Sequence, residues 1–266
     1  MSRFWDSRTT VVAQWTFEKL LWSPRTLVMA SVTLFPVALA VIFRIAAAAG
    51  LNVSFTGFGF FSVVTATVSF PFVAPMLALF YSSGIVIDEV ENGTLPYLIT
   101  RPITRASLLA GKMVGSFALQ AALFLPSLVL CFYVAVAPSG FQEVGSRFPT
   151  LALDAGVAIL GIAAYSGIFS FLGTALRRPV LIGLIFVFGW QAAATYIPGF
   201  VRKLTVAHYL QSLLPHESLQ GALSGLWGER PSALAAVSVL LAISLVTNAL
   251  AIFAFSRKEF VGRISS

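Results

Sequence analysis

Charge is what this sequence has least of: Asp, Glu, Lys and Arg together make up 10% of its 266 residues, against 58% apolar ones. Soluble domains carry about 25% charged and roughly 45–50% apolar residues, so a soluble reading is excluded. Cysteine is nearly absent as well. The single Cys131 rules out a disulfide within the chain and a Cys-rich metal site. The only histidines, His208 and His216, lack the Glu of a metalloprotease helix between them. A zinc site is therefore not expected, and both are read as interfacial histidines. The Gly111-Lys112 pair has Ala106 where a nucleotide-binding loop needs its earlier glycine, and Met113 where it needs Ser or Thr. No ATP is expected to bind there. Paired Asp residues, a His-Glu metal motif and Gly-x-Ser-x-Gly are also missing, which argues against an intramembrane hydrolase.

What is present is a series of apolar runs, several of which reach the roughly 20 residues needed to cross a bilayer. They predict spans at about 27–49, 61–87, 113–137, 152–176, 180–197 and 233–255. Residues 1–25 mix Arg3, Arg8, Lys19 and Arg25 with Trp5, Val12, Trp15, Leu20 and Trp22, the pattern of an amphipathic helix lying in the membrane interface. Between the last two spans, 198–231 is too polar to cross. Its stripe of Leu204, Val206, Tyr209, Leu210, Leu213 and Leu214 reads as an outer interfacial or re-entrant helix that ends before Pro215. The fold class is an all-α integral membrane protein of six transmembrane helices, occupying 1–266 as one transmembrane domain.

Twelve basic residues fall on the side that holds both termini, the 88–112 loop and the Arg177-Arg178 turn, against five on the other. That bias places the termini and the loop in the cytoplasm of a cell (inner) membrane protein. It also explains the net charge of +7 without nucleic acid.

The loop 88–112 gathers three of the ten acids and three of the seventeen bases. Gly93 can end one helix, Thr94 can cap a short new one, and Pro96 is tolerated in a first turn. Leu95 and Leu98 then share a face. Arg101 before Pro102 closes this foot, and Thr104 can cap the helix that follows.

The elements Glu89, Glu91, Gly93, Thr94, Leu95, then Arg101, Pro102, Arg105, then Leu108, Leu109, Gly111, Lys112 resemble those of permease subunits of type-2 ATP-binding-cassette (ABC) exporters; Pro96 stands where a helix former is more usual. The resemblance implies a cytoplasmic coupling helix at the foot, carried by Glu89, Glu91, Gly93, Thr94, Leu95, Leu98, Arg101, Pro102 and Arg105. It also implies two copies of a separate ABC ATPase that bind ATP and Mg, and a second permease copy or paralogue. This chain would hold no cofactor and would not be an enzyme. The competing reading is a secondary transporter or channel without an ATPase, for which intramembrane acids or repeated broken helices would be expected.

Four polar residues fall within the apolar runs and are candidates for the translocation path. Gln120, Gln191 and Asn248 are amides that need a partner in lipid, and interhelical hydrogen bonding is the plainer account of them. Asp154 is the acid at membrane depth, read chiefly as a helix-start residue or a partner for Arg147 and secondarily as a path residue. Gly156, Gly161, Ala164, Gly167, Ser170 and Gly173 allow close helix contact, expected within one subunit.

Overall fold

The computed structural model describes residues 7–50, 56–85, 104–176, 178–191, 193, 203–214, 216 and 231–257. Among these every regular element is helical, as the composition predicts. We number them α1 (Ser7–Leu21), α2 (Pro24–Ala48), α3 (Gly57–Ser82), α4 (Arg105–Val136), α5 (Phe141–Ala175), α6 (Pro179–Gln191), α7 (Val206–Leu213) and α8 (Ala233–Arg257). Five of them, α2, α3, α4, α5 and α8, are long and apolar enough to cross a membrane. The 13-residue α6 rises only about 20 Å, short of a hydrocarbon core of roughly 30 Å.

The starts of these helices follow local chemistry. Ser23 caps α2 by accepting from the Arg25 N–H with Pro24 in the first turn, Thr56 caps α3 through the Gly59 N–H at 3.1 Å, and Thr104 caps α4 through the Ser107 N–H at 3.2 Å. Gly140, at φ 112°, lets the chain reverse from the end of α4 into α5, a conformation open to glycine at no steric cost. Helix α3 departs from α geometry over Thr65–Val73, where the ladder widens to a π-helix. Pro71 lies inside that stretch; lacking an N–H and crowding the carbonyl one turn back, it disrupts the ordinary register.

α5 is the spine. It packs against α8 along its length and also touches α3, α4, α6 and α7. Its glycines set the spacing: a methyl on Gly161 would press on Leu210 of α7, one on Gly167 would collide with Thr247 of α8, and one on Gly173 would meet the Ser83 carbonyl at the end of α3. Small residues thus serve packing inside one subunit. The core between these helices holds Phe70, Leu77, Leu119, Phe124, Ile162, Tyr165, Phe169 and Leu210. The stripe assigned to 198–231 accordingly dips inward, since Val206 and Leu210 of α7 belong to this core. α1 lies along the first half of α4.

Candidate functional site

At the end of the bundle where α3 and α5 begin, three polar side chains close on one another. Ser62 of α3 hydrogen-bonds its hydroxyl to the Phe58 carbonyl at 2.9 Å and lies 3.1 Å from Nδ1 of His216. Nε2 of His216 lies 2.7 Å from Oδ2 of Asp154 on α5. The rings of Phe58 and Phe61 stand edge-on to the imidazole, and Asp154 is 0% exposed.

Ser62 has one proton and the Phe58 carbonyl takes it, which leaves the Ser62 oxygen to accept from Nδ1–H of His216. Nε2 of His216 and Oδ2 of Asp154 share the second hydrogen bond of the cluster. The connectivity Ser–His–Asp is that of a nucleophilic triad, but the hydroxyl proton points to a backbone carbonyl rather than to a base. The cluster therefore works as a clasp: it ties the segment after α7 to α3 and α5.

This corrects three expectations. Asp154 is not a helix-start acid, because α5 begins at Phe141 and runs through Pro149 without a break. Nor does Arg147 pair with it; the Arg147 guanidinium sits 4.3 Å from the centre of the Phe58 ring. His216 is buried inside the bundle instead of lying at an interface. Sequence reasoning missed Ser62 and His216 as its partners. One signal was available: Asp154 is the sole acid between Glu143 and Glu217, so it needed a polar partner, and both histidines lie in that interval.

The other path candidates fall at separate points. Gln120 of α4 donates to Ser82 of α3 at 3.0 Å and to Ser116 at 2.9 Å, and it accepts from Ser166 of α5 at 2.7 Å. Both amide hydrogens and the carbonyl are satisfied, so one side chain joins three helices. Tyr165 of α5 donates to the Gln191 carbonyl at 3.0 Å, binding α5 to the end of α6. Asn248 bonds within its own helix, to the Ser244 carbonyl at 2.7 Å, while Ser244 donates to the Ala163 carbonyl of α5 at 3.2 Å. Of the coupling residues, Arg105 is the first residue of α4; Glu89, Glu91, Gly93, Thr94, Leu95, Leu98, Arg101 and Pro102 lie outside the described residues. Two buried atoms, Asp154 Oδ1 and Thr65 Oγ1, have no hydrogen-bond partner among the described residues.

Residues 46–260 match the family model of the ABC-2 family transporter proteins, about four-fifths of the chain. The chain belongs to the ABC-2 transporter family. This ABC-2 protein is thus a multi-pass membrane permease of an ABC transporter, a transport subunit and not itself a catalyst. The match runs from the end of α2 through α8 and so takes in the foot, the clasp and the Gln120 cluster. A search of the curated proteins finds no match.

Proposed function

We propose that this ABC-2 permease is one half of an exporter whose foot, within 88–112, docks on a separate ATPase. Two permease copies, or this chain and a paralogue, would enclose the path, and two ATPases would bind ATP and Mg beneath them. The family match carries this reading. The layout of α4 supports it: the helix leaves the foot at Arg105 and runs 32 residues, about 48 Å, into the bundle, where Gln120 joins it to α3 and α5. A push on the foot reaches the transmembrane core through one rigid rod. The basic-residue bias supports a cytoplasmic foot and cytoplasmic termini in the inner membrane, with 180–197 completing six spans and Gln120, Asp154, Gln191 and Asn248 beside the path.

The decisive experiment is at the foot. Glu91→Ala and Leu95→Asp should insert and fold like the parent yet lose ATPase association and transport, because an interface charge whose partner is left unpaired typically costs about 2–5 kcal/mol. Gln142→Ala, at the far end on α5, should change neither. Wild-type association by both foot variants at equal expression would reduce the foot to an ordinary loop.

A further inference from the structure

Tyr81 and Ser82, the last two residues of α3, tie it to different helices. The Ser82 hydroxyl accepts from the Gln120 amide of α4 at 3.0 Å, while the Tyr81 hydroxyl donates to Thr26 Oγ1 at 2.9 Å. Thr26, in the first turn of α2, donates in turn to the Leu20 carbonyl of α1 at 2.5 Å. Leu20 lies in the last turn of its helix, where carbonyls lack an intrahelical N–H, so this chain of hydroxyls also finishes α1. Tyr81 and Thr26 are both buried. Away from that joint, α1 and α4 run side by side in the same direction. Thr9 and Val12 of α1 meet Gly111, and Ala13 and Thr16 meet Gly115, so the contacts advance four residues at a time on both helices. The glycines make this crossing possible: a methyl on Gly111 would lie 2.8 Å from the Thr9 carbonyl, and one on Gly115 would strike the Ala13 carbonyl. Further along α1, Phe17 and Leu20 pack against the core that holds Leu119. Both helices therefore reach the last turn of α3, α1 through Leu20 and α4 through Gln120.

We propose that α1 is a splint for the first half of α4: the two helices form one lever arm whose fulcrum is the last turn of α3, with Tyr81 and Thr26 as the positioning residues that fix α1 to it. Gln120 lies 15 residues beyond Arg105, a rise of about 22 Å. A single helix held only at one end of that length bends under load. Two helices packed backbone to backbone through glycine, and bound to the same turn of a third, swing together. The proposal deepens the coupling reading and rests on it for the source of the force, the ATPase at the foot. The splint itself is a property of this chain alone.

The test is amide hydrogen exchange, read by mass spectrometry on the purified full-length chain in detergent. Tyr81→Phe removes one hydroxyl and keeps the ring. It should speed exchange about fivefold, the shift in an opening equilibrium that one lost hydrogen bond brings, in 7–21 and in 105–119 alike. Thr26→Val should do at least as much, and the double variant no more than Thr26→Val, because both residues serve one chain of hydrogen bonds. Thr26→Ser keeps the hydroxyl and should exchange like the wild type. Faster exchange confined to 18–26, around the lost bond, would reduce the contact to a local tie and overturn the splint, as would unchanged exchange in both single variants. In complex with the ATPase, ATP should alter exchange in 7–21 and 105–119 together in the wild type, and in 105–119 alone in Tyr81→Phe. A response that stays joined in Tyr81→Phe would overturn the role of that residue. Should the wild type not bind an ATPase, the foot reading fails while the pattern in the purified chain still decides the splint.

Discussion

At one end of the bundle Ser62, His216 and Asp154 turn toward one another under two phenylalanine rings; at the other, Lys19, Arg25 and Lys112 line a cleft beside the crossing of α1 and α4. Both ends place ionisable groups in apolar surroundings, and physics asks each how the charge is compensated. The clasp answers from within, by setting the His216 ring 2.7 Å from the Asp154 carboxyl. The cleft instead gathers charges of one sign from three helices, with Lys112 only 5% exposed in its wall.

The contrast breaks most sharply at His216. His216→Ala leaves the Asp154 carboxyl buried without its partner, a loss of about 3–5 kcal/mol that should lower the unfolding midpoint in detergent by many degrees. Asp154→Asn keeps a hydrogen-bonding group and should cost nearer 1 kcal/mol. Equal and small effects of both would mean that the clasp is not closed.

Next comes the crossing that builds the cleft. Gly115→Val forces α1 off α4 at a cost of about 1–3 kcal/mol. With Cys131 replaced by Ala, a Val12→Cys reporter should be shielded from maleimide in the parent and labelled in the Gly115→Val chain. Shielding in both would show that α1 holds to α4 by other means.

The smallest effect is the response to salt. Raising ionic strength from about 0.1 to about 1 M shortens the screening length from roughly 10 to roughly 3 Å. The stability gap between wild type and His216→Ala should stay the same, because a buried pair is screened far less than an exposed one. A gap that shrinks with salt would mean that solvent ions reach the clasp.

Much of this layout was legible because it is local. Thr56, Thr104 and the Ser23-Pro24 pair announce helix starts within three residues of themselves, and uninterrupted apolar runs announce the long helices. The clasp was not legible because Asp154 and His216 are 62 residues apart and meet only through packing. The predicted span began at about 152, where the apolar run starts, whereas α5 already begins at Phe141, so Asp154 was given a helix-start role it does not have. A proline in a helix interior removes one hydrogen bond, and a helix of 35 residues absorbs it. The π-helical stretches of α3 and α6 likewise have no periodicity that separates them from α-helix in sequence.

The glycine crossing of α1 and α4 bears on how the protein is made. Leu21 ends α1 and Arg105 begins α4, so 84 residues of synthesis separate the two contact surfaces. At ordinary translation rates that is an interval on the order of ten seconds. Throughout it, the face of α1 that carries Thr9, Val12 and Thr16 has no glycine seat on α4 to occupy. The earliest of the described helices to be synthesised therefore gains its main packing surface only once α4 has been made.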